Sequence, residues 1–575
     1  MTKPMLLAVH DRAPDRARIE RELTSRYAAD YQIVCEESPL SALQTLDTVR
    51  ATPDGVVPIV FAASDMAEMP GAEFLARAHV LHPHAQRVLL IPWSNRSASK
   101  PILRMISQGR FDRYASTPVR SPDEDFHQLV TELLAGWQRQ HADRTTVVTL
   151  VDRRWAPRSY QIRDQLQRGG LPFAFHTADS PRGRALLEET GYRHGPFPVV
   201  VRYDGHVLAN PADEEIAHAL GVRHASTDGV FDVVVIGAGP AGLSAGVYAA
   251  SEGLRTLIID RDSIGGQAGT SSLIRNYLGF PLGVGGADLC NRAVDQAWSF
   301  GAETSVLRDV VDLRVDGDYR IVLLDDGTHV TARTVVLATG VTYQRLGLPR
   351  VEALLGSGVY YGGGITEAPA MAGQHAFVLG AGNSAGQAAV HLARYADRVS
   401  MIVRGGNLAA SMSDYLVKTI DATGNIDVRL HTTVVDGHGA GRLEHLVLND
   451  SNTGQVRTVA ADALFVLIGT KPHTDWLPAE ILRDTNGYIL TGHDLRPDQA
   501  AGPGTPPDAT PARAEHRLAS EMITPTRSPL PLETSVPGVF AAGDARHGSV
   551  KRVASAVGDG SITVRSVHQY LSPTA

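Results

Sequence analysis

Two stretches of this sequence have residue types and spacing that point directly to chemistry: Gly237-Ala238-Gly239-Pro240-Ala241-Gly242 and Gly380-Ala381-Gly382-Asn383-Ser384-Ala385. In such a run the first glycine permits a tight turn and the second lets main chain approach a pyrophosphate. The helix that follows aims its free N–H groups and positive dipole end at the same charge. Asp260, 21 residues past Gly239, stands where a carboxylate accepts hydrogen bonds from a ribose diol. The matching position after the second run holds Arg404. A guanidinium there favours the 2′-phosphate of NADP, which a carboxylate would repel; the alternative is a solvated surface charge and NAD as the nucleotide. Two dinucleotide sites about 140 residues apart imply two nucleotides facing one another. One of them is expected to be a flavin, because hydride transfer between two nicotinamides within one chain is unusual chemistry.

These turns need regular elements on either side. The pattern predicts a buried strand at Phe231–Ile236, a helix at Leu243–Glu252 and a strand Thr256–Ile259 ending at Asp260. It predicts a second set at Ala376–Leu379, a helix to about Tyr395, and Val399–Val403 ending at Arg404. Upstream, residues 1–140 alternate apolar runs (Met5–Val9, Ile59–Ala63, Val88–Ile91) with helical stretches at Asp15–Tyr27 and Phe126–Trp137. That is α/β alternation with a mostly parallel sheet. Residues 145–224 read as a strand Thr145–Val151, a helix Ser159–Arg168 and a strand pair Val199–Tyr203 and Val207–Leu208 around Asp204-Gly205. Residues 493–531, rich in Pro, Ala and Gly, read as a long loop or disordered insertion. The expected class is α/β throughout.

The 575 residues suggest three to four domains, and 43% hydrophobic with 20% charged residues is ordinary globular composition. A formal charge of −8 gives no electrostatic footprint for nucleic acid or an anionic membrane. No apolar run approaches the roughly 18 residues of a membrane helix, and Met5–Val9 is too short for a signal peptide's apolar region. The expected location is cytoplasmic. Cys35 and Cys290 are the only cysteines, so a disulfide framework, a cysteine zinc site and a C-x-x-C pair are all excluded. The 22 histidines show no convincing ligand spacing, and no metal is expected.

On these motifs, together with Gly265-Gly266-Gln267, Asn276-Tyr277-Leu278-Gly279-Phe280-Pro281, Ala338-Thr339-Gly340 and Gly543-Asp544, the chain from about Gly229 onward resembles the low-molecular-weight thioredoxin reductases. The resemblance implies an FAD domain in two pieces, 229–345 and 532–575, around an NAD(P)H domain at 346–478, and a homodimer formed through the FAD domain. Carried over residue by residue, it assigns FAD to Gly237, Gly239, Pro240, Ala241, Gly242 and Asp260. It adds Gly266, Gln267, Asn276, Val310, Thr339 and Gly340, then Gly543, Asp544, Arg552, Val553 and Ala554. Asp544 would hold the ribityl or phosphate part, and the Ala554 N–H the pyrimidine edge. NADPH falls to Gly380, Gly382, Asn383, Ser384, Ala385, Arg404 and Gly469. Where these reductases carry their redox-active C-x-x-C, this chain reads Tyr360-Tyr361-Gly362-Gly363-Gly364-Ile365-Thr366-Glu367, with Gly362 and Ile365 at the cysteine positions. Gly362, Gly363, Ile365, Thr366 and Glu367 are therefore the candidates to face the flavin. They form either an open approach for a small acceptor or a relaxed loop that lost its thiols.

The leading segments carry similar gaps. Residues 145–224 resemble a glutaredoxin or thioredoxin module in Trp155-Ala156-Pro157-Arg158-Ser159, Phe197-Pro198-Val199 and Asp204-Gly205, with Ala156 and Ser159 in place of its cysteines. A hydroxyl cannot perform thiol–disulfide exchange. Residues 1–140 resemble a response-regulator receiver (CheY-like) domain through Met66, Met69, Gly71, Glu73 and Phe74. Ala63 falls at its phosphoacceptor, His10 replaces one of its acids and Thr117-Pro118 stands for Lys-Pro. The expected protein is an NADPH-dependent FAD oxidoreductase. Its acceptor would be something other than a dithiol: oxygen, a quinone, a redox protein or a small substrate. Residues 1–224 would serve docking or regulation. The alternative is an interaction protein that uses FAD and NADPH as conformational ligands.

Overall fold

The computed structural model describes residues 3–572 except 53–54, 93–104, 106–109, 142–145, 222–226, 272, 275, 281–282, 363–366 and 496–526. They form two compact units, 1–145 with 413–423, and 146–412 with 424–575. The predicted 493–531 insertion falls mostly outside the described residues; its first residues belong to a 3₁₀ turn, Gly492–Leu495.

In the first unit, apolar runs of about five residues form a parallel sheet because both of its faces are covered. Strands β1 (Met5–Val9), β2 (Gln32–Glu36), β3 (Ile59–Ala63), β4 (Gln86–Ile91) and β5 (Arg113–Ser116) lie in the order β2-β1-β3-β4-β5. Helices Pro39–Arg50 and Gly71–Leu81 bury Ala42, Leu46, Phe74 and Leu75 on one face. Helices Ala13–Tyr27 and Glu124–His141 bury Ile19, Leu23, Phe126 and Val130 on the other. The architecture is a doubly wound sheet.

The second unit begins with a four-stranded mixed sheet of β6 (Val148–Asp152), β7 (Phe173–Thr177), β8 (Val199–Arg202) and β9 (Val207–Ala209), ordered β7-β6-β8-β9. The helix Pro157–Arg168 packs Ile162 and Leu166 on it, starting two residues earlier than the sequence suggested because Pro157 suits a first helical turn. The Phe197–Pro198 peptide is cis.

A larger sheet follows, with β10 (Val230–Ile236) at its centre between β11 (Thr256–Asp260) and β12 (His329–Leu337). Strand Val539–Ala541 joins β12 in parallel, with Val336 opposite Phe540, so the C-terminal piece completes a sheet begun three hundred residues earlier. Helices Pro240–Ser251, Gly286–Ser299 and Val553–Leu571 cover one face through Leu243, Cys290, Val294 and Val564. A second parallel sheet orders its strands Val359–Tyr361, Ala463–Val466, His375–Leu379, Arg398–Ile402 and Ile426–Arg429. Its helix Asn383–Leu392 stops short of the expected Tyr395.

Candidate active site

The carboxyl ends of the parallel strands of both sheets open into one cavity of about 1430 Å³, where open α/β sheets bind ligands. That exceeds the roughly 300–1,000 Å³ of a single small-molecule site. On the first sheet, β10 delivers Gly237 with φ +109°, and a Cβ there would lie 2.2 Å from the Ala338 carbonyl oxygen. Only glycine lets this turn pass so close to the neighbouring strand end. A Cβ on Gly239 would meet nothing within 4 Å, so the turn exposes main chain to the cavity. Thr339 Oγ1, on the same wall, is buried without a hydrogen-bond partner among the described residues. Glycine-lined main chain at a helix N-terminus beside an unsatisfied hydroxyl fits the phosphates and hydroxyls of a dinucleotide.

Asp260 closes β11. Its Oδ2 accepts from the Ala238 N–H at 2.6 Å and its Oδ1 from the Asp262 N–H at 2.9 Å. Burial pushes its carboxyl up to about 6, against the pull of those two amides. Asp544, also on the wall, is raised by burial, opposed by the nearby Lys551 ammonium; Lys551 itself is lowered by burial. Lys551 Nζ donates to the Asp544 carbonyl and, at 3.0 Å, to Ser549. The helix Val553–Leu571 starts at this wall with Arg552 and Val553 lining it, and is seated on Pro240–Ser251 by the Ser244 hydroxyl donating to the Val557 carbonyl at 2.8 Å.

The second sheet repeats the arrangement. The Gly380 N–H donates to Ile402 O at 3.1 Å, and its φ of +145° brings a would-be Cβ within 2.4 Å of the Leu467 carbonyl oxygen. Gly382, Asn383, Ser384, Ala385, Arg404 and Gly469 join it on the cavity wall. Arg404 is exposed there and forms no ion pair among the described residues.

Of the residues expected to bind FAD, the cavity brings together Gly237, Gly239, Pro240, Ala241, Asp260, Gly266, Gln267, Val310, Thr339, Gly340, Asp544, Arg552 and Val553. Gly242 and Gly543 are buried behind that wall, and Ala554, exposed on the first turn of the helix Val553–Leu571, does not line it. Asn276 departs from expectation: it sits on an exposed turn outside the cavity.

Two of the five flavin-face candidates, Gly362 and Glu367, lie among the described residues. Gly363, Ile365 and Thr366 lie outside the described residues. Gly362, with φ +106°, ends strand Val359–Tyr361 off the cavity wall, and a Cβ there would touch the Tyr343 hydroxyl at 3.0 Å. Tyr343 lines the cavity; burial raises its phenol, opposed by hydrogen bonding with Thr270. Glu367 is not at the cavity but 2% exposed, in an ion pair with Arg163 at 3.3 Å. A carboxylate this deeply buried needs a cation beside it, and Arg163 is supplied from the segment preceding residue 224.

Cys290 is core. It is 2% exposed, with Sγ 3.7 Å from the Gly265 carbonyl oxygen, and burial pushes its thiol up to about 12. Cys35 belongs to the other unit. Ser159 is fully buried, and its hydroxyl donates to Asp152 at 2.6 Å. Sequence reasoning missed Arg168, Thr270 and Tyr343 on the wall; none sits in a recognisable motif.

The family model for pyridine nucleotide-disulphide oxidoreductases matches residues 231–500. The thioredoxin reductase of Treponema pallidum is 31% identical over 342 residues, covering 59% of this chain and 97% of that protein. That of Bacillus subtilis is 31% identical over 351 residues, covering 60% and 96%. Among solved structures, T. acidophilum thioredoxin reductase is 27% identical with a TM-score of 0.51, matching 60% of this chain and 100% of that one. The Lactococcus lactis enzyme, at 23% identity and a TM-score of 0.51 over the same share, has the same fold.

Proposed function

Because this chain belongs to the thioredoxin reductase family of pyridine nucleotide–disulphide oxidoreductases, and is accordingly an FAD-dependent NAD(P)H oxidoreductase using FAD and NADPH, we propose that it delivers electrons to an acceptor other than a C-x-x-C dithiol. The observation that carries this reading is the cysteine count. Two thiols, one in each unit and one of them core, stand in a chain whose relatives are disulfide reductases. FAD, when bound, supplies the redox chemistry, taking a hydride from the nicotinamide and passing two electrons on.

This chain's own residues bind and orient. The Gly237 and Gly380 turns cradle the two pyrophosphates, Asp260 receives the flavin dinucleotide's ribose, and Arg404 receives the 2′-phosphate of NADPH. With Gly362 and Ile365 at the positions where the resemblance puts the cysteines, this chain offers no C-x-x-C to receive electrons, and its acceptor is oxygen, a quinone, a redox protein or a small substrate. Residues 145–224 act as a thioredoxin-like layer without cysteines, and residues 1–140 as a receiver-like domain without its phosphoacceptor. The homodimer forms through the FAD-binding part. Among the described residues, no helix is long and apolar enough to cross a membrane.

Stopped-flow reduction of FAD-loaded protein by NADPH and by NADH, then reoxidation in air-saturated buffer, tests the reading. Reduction within seconds with NADPH preferred is expected, and the reoxidation rate separates an oxidase from an enzyme that awaits a partner. No reduction by either nucleotide over minutes would leave a nucleotide-binding interaction protein instead.

A further inference from the structure

The helix Pro157–Arg168 lies outside the stretch matched by the family model, yet it touches both dinucleotide-binding parts of the second unit. Near its start, the Ser357 hydroxyl donates to the Trp155 carbonyl at 3.0 Å, and Arg154 donates to the Ala370 carbonyl at 2.7 Å. Tyr160 packs on Tyr360 with ring centroids 5.1 Å apart, and Arg163 pairs with Glu367. At its end the same helix meets the other part. The Arg168 carbonyl oxygen lies 3.3 Å and 3.2 Å from where Cβ atoms would stand on Gly265 and Gly269. Close approach at these two glycines is what lets the helix end reach the cavity.

Arg168 itself lines that cavity together with Gly266, Gln267, Thr270 and Tyr343. Its guanidinium is anchored to Asp164 by an Nη2–Oδ2 contact of 2.6 Å. Its Nε–H is buried with no acceptor among the described residues. A buried donor left without a partner is costly, and native structures rarely tolerate one unless a ligand or water completes it. A dinucleotide offers phosphate, ribityl and ring acceptors. A planar guanidinium fixed along one edge presents its remaining donors with little further loss of freedom.

We infer that Arg168, from the segment preceding the shared reductase core, is an FAD-binding residue, so that the thioredoxin-like layer completes the flavin site. The inference rests on the cavity being the dinucleotide site and is independent of which acceptor the enzyme serves. Full-length protein is stripped of FAD and titrated with it, following flavin fluorescence, for wild type, Arg168→Gln and Arg168→Lys. NADPH affinity is measured on the FAD-loaded forms and thermal stability on both the FAD-free and the FAD-loaded forms. Arg168→Gln is expected to raise the FAD Kd by about tenfold or more, with Arg168→Lys intermediate because it keeps charge and the Asp164 pair but loses the fork. NADPH affinity stays at its wild-type value, and FAD-free melting, lowered by the lost Asp164 pair, falls by less than melting of the FAD-loaded protein. An unchanged FAD Kd in Arg168→Gln would overturn the inference. So would a loss confined to NADPH, or an FAD-free protein destabilised to the same degree as the loaded one, which would mark a purely structural role. Wild-type protein that fails to take up FAD would refute the dinucleotide reading of the cavity itself.

Discussion

Asp260→Asn is a test in which stability and function should move in opposite directions. In the FAD-free fold the Asp260 carboxyl is lifted from 3.8 to about 6 by burial, with the Ala238 and Asp262 amides opposing. A rise of that size makes the charged side chain cost the fold about 3 kcal/mol. The sign follows from linkage: the unfolded chain releases this proton near 3.8 and the folded chain near 6. The cost is therefore complete above about pH 6, shrinks as pH falls, and is gone below about pH 3.8. Asparagine removes the charge but can accept only one of the two amide hydrogen bonds, which returns about 1 kcal/mol. The FAD-free variant should thus be more stable than wild type by about 2 kcal/mol at pH 7.5, a rise of about 2 °C in the transition of this unit. That advantage should fade by about pH 4, leaving the lost hydrogen bond.

With FAD the order reverses. Ribose hydroxyls donating to a carboxylate make charge-assisted hydrogen bonds, and their loss should weaken FAD by roughly ten- to hundredfold. Thermal melts of FAD-free protein at pH 4.5 and 7.5, paired with FAD titrations, read both arms. An FAD-free Asp260→Asn protein that melts no higher than wild type at pH 7.5 would refute the burial argument. Wild-type FAD affinity in the same variant would refute the ribose assignment.

Two further substitutions probe the remaining charges. Arg404→Ala should raise the Kd for NADPH by roughly ten- to hundredfold through loss of a phosphate contact while leaving NADH within about twofold, read by titrating each nucleotide into FAD-loaded protein; equal losses for both would remove Arg404 as the selector. Arg163→Met breaks the buried pair with Glu367 and should cost the second unit about 3 kcal/mol in urea unfolding, with Arg163→Met/Glu367→Leu recovering most of it. A single substitution without effect would show that the pair does not hold the helix to the nucleotide-binding part.

The parts of this protein that could be read from its sequence are those whose geometry is local. A strand, a glycine turn and a helix within a dozen residues place Gly237 to Gly242 and Gly380 to Ala385 without help from the rest of the chain. Asp260 and Arg404 are equally legible, because a right-handed βαβ crossover sets the next strand's carboxyl end beside the preceding turn. That the chain contains no C-x-x-C needs no structure at all. Helix starts at Pro157 and Pro240 were placed two or three residues late, since a proline in the first turn reads as a break in a linear pattern and as a start in three dimensions.

Contacts between distant segments were not legible. Glu367 faces Arg163 rather than the cavity because a helix some two hundred residues upstream supplies the cation that its burial requires. Tyr343 stands beside Gly362 because strands of two different sheets, Val341–Tyr343 and Val359–Tyr361, end near one another. Arg168 reaches the wall only because Gly265 and Gly269 carry no side chains where its backbone passes. Residue type and spacing determined which nucleotides this chain could hold. Packing across the sheets decided which other side chains share the cavity, since a buried charge or an unpaired donor is tolerated only where tertiary structure brings it a partner.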